Sequence, residues 1–446
     1  MSDKSIVLID GEHYPPVVAR AISMLISSGE RPVAALLVGG GEKLGQSDVD
    51  LGVPVENVGD DPEVKLAEAI ERLGVTKVID VSDEPVLGYV QRSRLASISL
   101  WKGASYTGAD FAFTPPPRPH LAKVPSVSVI GTGKRTGKTA VGGATARAYD
   151  QAGFDPVIVA MGRGGPKDPE VIEDFESLTP ESLLSWVEDG RHAASDYIED
   201  ALTARVKAVG AWRAGGGMAG ATAHTNYEKA IERAHDLDPG MLVCEGSGSA
   251  IPPVHCDAGI LIVNAGIDPG HLRGYFGLYR LLLADLVVLT MVEESISRGQ
   301  LAALDSCIRS TPLNQPKVAQ TRFRPAPLGE VSGKKVWFAT TAPEEAGDVL
   351  KRHLEEKFEA TVTSISHSLA DRAKLKEELS ELSDVDVLAV ELKAAAVDVV
   401  TKFGIENDIE VVYVDNQPEM VGEGDSTLDE LLLEVAGLAK ERFSTQ

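Results

Sequence analysis

Residues 126–149, SVSVIGTGKRTGKTAVGGATARAY, carry the densest chemistry in the chain. Small and β-branched residues as far as Ile130 read as a buried strand, and the alanine-rich stretch after Thr139 reads as a helix. Between them runs Gly131-Thr132-Gly133-Lys134-Arg135-Thr136-Gly137-Lys138-Thr139. Strand, glycine loop and helix in that order make a phosphate cradle, a P-loop. Its backbone N–H groups curl toward one anion and the helix adds its positive end. Lys138 is then placed to reach β- and γ-phosphates, and the Thr139 hydroxyl to bind Mg²⁺. The loop has five residues between Gly131 and Gly137, one more than the common form, with Thr132 at the usual first-glycine position. Gly131 and Gly133 flank that position, so the backbone can still close on an anion. Lys134 and Arg135 add two cations that either meet charge developing during phosphoryl transfer or stand as solvated loop charges.

Other residues extend this chemistry. Glu245 follows the apolar run GMLVC and precedes Gly246 and Gly248. A carboxylate at the end of a strand next to the loop strand holds Mg²⁺ directly or through water. Arg163 and Lys167, in AMGRGGPKDP, follow a strand expected to flank the loop strand. Arg213, the run Gly215-Gly216-Gly217, His224 and Asn226 form a second basic, glycine-rich cluster. A guanidinium fork beside exposed backbone N–H groups wraps a phosphate, although a glycine run is also an ordinary hinge. Asp10, Glu12 and His13 sit where the first strand ends, the position at which open α/β sheets take ligands; a cap or turn serves equally well there. Asn264, after the run AGILIV, is a candidate reader of the adenine base.

The elements that must position these residues alternate along the chain. SIVLID, PVAALLV and KVIDV are strand-like runs separated by helical patterns such as DPEVKLAEAIERLG. That alternation predicts a parallel α/β domain ending at the proline-rich TPPPRPHLAKVPS. A second alternating set follows from Val127, interrupted by a long insertion that holds the Arg213 cluster. The pattern breaks near RFRPAPLGEVSGKK, and a third block carries KVWFATT, DVLAVEL and EVVYVD. The expected fold is therefore α/β and multidomain, a central P-loop NTPase parallel sheet flanked by two α/β (Rossmann-like) domains. The expected boundaries are 1–122, 123–328 and 329–446.

Composition sets limits on partners. The 446 residues carry 43 Lys and Arg against 67 Asp and Glu, a net charge of −24. Such a surface repels nucleic acid and anionic membranes, so an anionic ligand must bind through local concentrations of positive charge. No apolar run approaches the ~20 residues of a membrane span, and the first residues do not resemble a secretory signal. The three cysteines, Cys244, Cys256 and Cys307, form no CxxC pair, which suits reduced thiols and a cytoplasmic location.

LIDGEHYPPVV, GTGKRTGKTAV, AMGRGGP, GGGMAG and CEGSGSAIPPV, in this order over nearly the whole chain, resemble the cyclic 2,3-diphosphoglycerate synthetase family. The loop spacing and EGSGS are also similar to dethiobiotin synthetase and its relatives. The resemblance implies Mg²⁺ and ATP as cofactors and 2,3-diphosphoglycerate as small-molecule substrate. It implies closure of that substrate into a cyclic phosphoanhydride, an archaeal compatible solute, with release of ADP and phosphate. On this reading Lys138, Lys134 and Arg135 are catalytic, and residues 131–139 with Asn264 hold the nucleotide. Arg163, Lys167, Arg213, Gly215–Gly217, His224, Asn226, Asp10, Glu12 and His13 meet the substrate, and Thr139 and Glu245 hold the metal. A kinase of a small acid shares every motif without closing a ring, and a partition-type ATPase switch shares the loop. Pairing as a homodimer is left open.

Overall fold

The computed structural model describes residues 3–39, 50–193, 195–393, 395–422 and 426–445. The outer limits of the expected domains, at 1 and 446, lie outside the described residues. Six strands make the first sheet: β1 Lys4–Ile9, β2 Arg31–Leu37, β3 Val55–Asn57, β4 Lys77–Asp80, β5 Ser105–Thr107 and β6 Ala112–Phe113. Their order is 3-2-1-4-5-6, parallel except for the last pair. The connecting helices follow from local chemistry. Pro62–Leu73 opens with proline and Glu63 in its first turn and stops at Gly74, whose φ of 61° is left-handed.

The second sheet is larger. It contains β7 Ser126–Gly131, β8 Pro156–Gly162, β9 Glu170–Ile172, β10 Lys207–Ala214, β11 His224–Thr225, β12 Met241–Glu245 and β13 Ala258–Asn264. It continues through β14 Leu286–Thr290, β15 Lys317–Pro327, β16 Lys335–Ala339, β17 Thr361–Ser366, β18 Val387–Glu391 and β19 Glu410–Met420. The order is 11-10-8-12-7-13-14-15-19-18-16-17, with β9 paired to β10. The loop strand β7 is thus flanked by β12 and β13. The strand before Arg163, β8, does not touch it, because β12 lies between them. The chain reaches β12 last of the three by way of the long insertion, and strand adjacency in a parallel sheet is set by crossover connections rather than by sequence order.

Two further features depart from the linear reading. The insertion contributes a long strand near one end of the sheet, β10, from RVKAVGAWRA. Residues 322–327, read from the sequence as an interruption, are the second half of β15. The first half pairs in parallel with β14 and the second antiparallel with β19, so one sheet runs from the P-loop region into the C-terminal region. Pro325 and Pro327 are tolerated because that half of β15 is bonded on one side only.

Each face of the central sheet is covered. On one, the Lys138–Gln151 helix packs with Asp196–Ala204 and Leu428–Ser444 around Val129, Val141 and Ile260. On the other, Gly277–Leu282 packs against Tyr89–Trp101 of the first domain, joined by Phe113 on Phe276 at 4.9 Å. The C-terminal region grips the P-loop helix directly. Arg147 meets the buried Asp415 of β19 at 3.0 Å, and the Phe323 ring lies against Gly137 so closely that a Cβ there would overlap it.

Replacing Arg147 with Ala strands the Asp415 carboxylate. Losing one member of a buried pair costs about 3–5 kcal/mol, and since the Arg147 side chain is 21% exposed the expected loss is about 2–3 kcal/mol. Urea unfolding of Arg147→Ala against the wild type measures it; an unchanged midpoint would show that the pair holds nothing together.

Candidate phosphate-transfer site

The glycine loop leaves β7 at its C-terminal end. Thr132 N–H donates to Ile262 of β13 at 3.2 Å, and the Thr290 hydroxyl of β14 donates to the Thr136 carbonyl at 2.7 Å. These bonds anchor both sides of the loop to the sheet. Arg135 and Gly137 take left-handed φ values of 59° and 85°, which turn the backbone into the helix. Lys138 folds back over the loop and donates from Nζ to the Gly133 carbonyl at 3.2 Å. Lys134 and Arg135 are exposed, and among the described residues no ion pair engages them.

Lys138 lies among charges of both signs. Burial pulls its ammonium pKa down. Glu245 and Asp196 push it up, while Arg213 and Arg163 push it down. One side chain therefore feels residues from β12, from the Asp196–Ala204 helix, from β10 and from the loop after β8. Glu245 ends β12 and is 2% exposed; its Oε1 is buried without a hydrogen-bond partner. Burial, and then the charge of Asp196, hold its carboxyl well above the usual carboxylate range, partly opposed by Lys138. The carboxylate lies against Gly142, one turn along the helix from Thr139, and any larger residue at Gly142 would collide with it. An orphaned carboxylate oxygen against the P-loop helix, one turn from Thr139, fits a hard cation, and Mg²⁺ ordinarily takes one or two protein ligands beside phosphate oxygens and water. Among the described residues no group of three or more His, Cys, Asp or Glu could hold a metal.

Beside this lies a basic cavity of about 530 Å³, lined by Arg163, Arg213, Ala214, Gly215, Gly216, Ser249 and Ala250. Arg213 is 8% exposed; it donates from Nη1 to Gly215 O at 3.0 Å and from Nη2 to Ser247 O at 2.9 Å, while its Nε has no partner. Burial and the neighbouring Arg163 charge depress its pKa. Both guanidiniums converge on Gly248. A Cβ there would lie 3.2 Å from Arg163 Nη2 and 3.4 Å from Arg213 Nη2, and its φ of 60° also favours glycine. Among the described residues neither arginine has an ion pair. Two like charges held together around an open cavity are an arrangement that can take an anion.

The other sequence candidates are arranged differently. The Asn226 side chain is engaged by backbone: Oδ1 accepts from Trp212 N–H at 2.8 Å, and Nδ2 donates to Pro166 and Lys167 carbonyls at 3.3 and 3.2 Å. It ties the Arg163–Lys167 loop to β10. Lys167 and His224 are exposed nearby. Asn264 ends β13, with Oδ1 accepting from Gly266 N–H and Nδ2 donating to Met291 Sδ, so reading a base requires an exchange of partners. Asp10 belongs to the first sheet and organises its own loop, accepting from the amides of Glu12, His13 and Asp83 and bonding the His13 ring. Burial raises its pKa, but those bonds outweigh it and hold the carboxyl below its ordinary value. Asp196 is a residue that sequence reasoning missed. Its charge acts on Lys138, Glu245 and Arg213 alike. It stands at a helix start inside the insertion, with no glycine motif to mark it.

A glycine loop between a central parallel strand and its helix, with a lysine, a threonine and an acid from the next strand, defines a P-loop phosphate-binding protein. Three family models divide the chain: the P-loop domain of cyclic 2,3-diphosphoglycerate synthetase matches residues 126–319, its C-terminal domain 327–417 and its N-terminal domain 4–114. The chain is 45% identical to the cyclic 2,3-diphosphoglycerate synthetase of Rubrobacter xylanophilus over 439 residues, covering 98% of each. It is 41% identical to that of Methanothermobacter thermautotrophicus over 457 residues, covering 99% of this chain and 98% of the relative. The chain belongs to the cyclic 2,3-diphosphoglycerate synthetase family. Among solved structures, ATP-bound LpxK from Aquifex aeolicus is 13% identical with a TM-score of 0.39, covering 71% of this chain and 90% of that one; at that distance the likeness carries no argument.

Asp200, one turn along the helix from Asp196, supplies a test of the site's electrostatics. It is fully buried and neither carboxylate oxygen has a hydrogen-bond partner. Burial, then the charges of Glu245, Asp196, Glu199 and Asp415, hold its pKa well above the usual range. The folded state therefore keeps a proton that the unfolded chain releases. Stability from this group is complete below the unfolded pKa of about 3.9 and is lost as pH rises toward the folded pKa. Asp200→Asn removes that loss and should gain on the wild type by about 1.4 kcal/mol per pH unit across the window. Urea midpoints of both proteins at several pH values above 4 measure it; parallel pH profiles would refute it.

Proposed function

We propose that this protein uses ATP and Mg²⁺ to close 2,3-diphosphoglycerate into its cyclic phosphoanhydride, releasing ADP and phosphate. The observation that carries the reading is the pair Arg163 and Arg213, converging on Gly248 without an ion pair among the described residues and acting on the pKa of the P-loop Lys138. A simple nucleotide hydrolase has no use for a second anion receptor beside its first. Family membership supports 2,3-diphosphoglycerate as that second anion.

The 131–139 loop would hold the phosphates of ATP, with Lys138 meeting them from the loop and Lys134 and Arg135 supplying charge to the transferred group. Thr139 and Glu245 would hold Mg²⁺, with the charge of Asp196 acting on Glu245. The metal would supply charge neutralisation across the phosphates. Arg163 and Arg213 hold the second ligand, which carries roughly −4 to −5 charge at about −1.5 to −2 per phosphate plus its carboxylate. Gly215 and Gly216 leave backbone groups open to it, and Lys167 and His224 lie at the rim. One substrate phosphate oxygen attacks the γ-phosphorus of ATP, and ADP leaves with the electron pair of the broken bond. An oxygen of the other substrate phosphate then attacks the activated substrate phosphorus and expels inorganic phosphate, which closes the ring. A phosphate oxygen is already ionised, so no strong base is required; positioning and charge compensation carry the rate.

³¹P NMR of the protein with ATP, Mg²⁺ and 2,3-diphosphoglycerate tests the reaction. A cyclic product with equal ADP and phosphate is expected, whereas an accumulating phosphorylated acid would identify a kinase. Lys138→Ala should abolish turnover with the fold retained. Glu245→Gln keeps the shape and loses the charge, so it should lower kcat and shift the Mg²⁺ dependence; an unchanged metal titration would demote Glu245 to a packing role.

Arg163→Ala and Arg213→Ala should each raise the KM for 2,3-diphosphoglycerate and leave that for ATP nearly unchanged. A charge-assisted bond to phosphate is worth about 1.5–3 kcal/mol, or roughly ten- to a hundredfold. Lysine should rescue only in part, because a point charge cannot replace a fork. A shift in the ATP KM instead would assign these arginines to the nucleotide.

A further inference from the structure

The wall of the basic cavity is held from behind by a third arginine. Arg280, in the Gly277–Leu282 helix, is 4% exposed. Its Nη2 donates to the Ser249 carbonyl at 2.7 Å and its Nη1 to the Phe276 carbonyl at 3.2 Å. Its Nε is buried and has no partner. Among the described residues no carboxylate pairs with it. Burial lowers its pKa to about 10, so it stays cationic at neutral pH. Buried charges are ordinarily paired, and an unpaired one is costly unless another charge answers it.

The three arginines share one short loop. Arg213 holds the Ser247 carbonyl, Arg163 and Arg213 converge on Gly248, and Arg280 holds the Ser249 carbonyl. Ser249 lines the cavity itself. We infer that Arg280 is a positioning and specificity residue of this cavity, fixing the Ser249 segment and adding a third cation that favours a bis-phosphorylated acid over a mono-phosphorylated one. The inference rests on the assignment of the cavity to the phosphorylated acid. A fixed cation attracts each ligand in proportion to its charge, so it separates ligands of about −4 to −5 from those of about −3. The bond to Ser249 acts differently, since a displaced wall weakens both ligands together. Phe276, the other carbonyl it holds, has a left-handed φ of 57° and carries the contact to Phe113 of the first domain. Arg280 thereby also ties the cavity wall to the segment on which that domain rests.

Two variants separate charge from positioning. Dissociation constants for 2,3-diphosphoglycerate and 3-phosphoglycerate are measured by calorimetry for the wild type, Arg280→Met and Arg280→Lys, with the KM for ATP as control. Arg280→Met should weaken the bisphosphate about tenfold and the monophosphate about five- to sixfold, so the preference narrows by about twofold. Arg280→Lys keeps the charge and loses the two-carbonyl fork; it should weaken both ligands alike, about threefold, and keep the preference. The ATP KM should stay within about twofold throughout. An unaltered preference in Arg280→Met, or its loss in Arg280→Lys, overturns the inference. If Arg280→Met does not fold, the lysine variant and the salt dependence of its bisphosphate binding decide: a slope equal to that of the wild type with weaker affinity supports the inference, and a reduced slope or unchanged affinity refutes it. A wild type that fails to bind the bisphosphate overturns the reading of the cavity and this inference with it, whereas binding that is indifferent to Arg280 overturns this inference alone.

Discussion

Arg163 and Arg213 meet over Gly248 with no ion pair among the described residues, in a chain whose net charge is −24. Like charges brought this close repel, and the burial of Arg213 adds to the cost. The arrangement is sustained by geometry: carbonyls of Gly215 and Ser247 accept from Arg213, while a glycine at 248 removes the side chain that would push the guanidiniums apart. Everything else at the site is disposed around this concentration of positive charge. Lys138 feels acids and arginines together: Glu245 and Asp196 push its pKa up while Arg213 and Arg163 push it down, and the charge of Asp196 reaches Arg213 as well. Groups of both signs around one loop can serve anionic phosphates and a cation together.

Strand order makes this possible. Placing β12 between β7 and β8 brings Glu245 beside the P-loop helix and carries the 246–250 loop across to β10, where Arg213 lies. Gly142 and Gly248 are the complementary concessions, one allowing the carboxylate to approach the helix and the other allowing two guanidiniums to approach the backbone. The two flanking regions serve the same centre from outside. The first domain covers one face of the sheet through Phe113 and Tyr89, and the C-terminal region covers the other through Asp415 on Arg147 and Phe323 on Gly137. Because β15 pairs with β14 along its first half and with β19 along its second, the C-terminal region is continuous with the P-loop region through backbone hydrogen bonds and does not hang from a linker.

The sequence by itself determined the local units. The strand–loop–helix at 126–151 was legible because a phosphate loop is built from contiguous residues whose backbone geometry depends on glycines at set spacings. The same holds for β1, β8, β12 and β13, whose apolar runs are buried on both faces, and for the acid at the end of β12. What only the tertiary structure decided is which units are neighbours. That β12 and not β8 borders β7, that AVGAWRA is a sheet strand inside an insertion, and that the prolines of β15 sit on an unbonded edge all depend on crossover paths, which leave no mark in residue spacing. Asp196 and Arg280 were invisible for the same reason. Each is an ordinary charged residue in a helix, and its significance arises from side chains far away in the chain: Lys138 and Glu245 for the one, Ser249 for the other. Backbone conformation is encoded within a few residues, but an electrostatic field is a sum over space, and only the folded chain sets the distances that enter it.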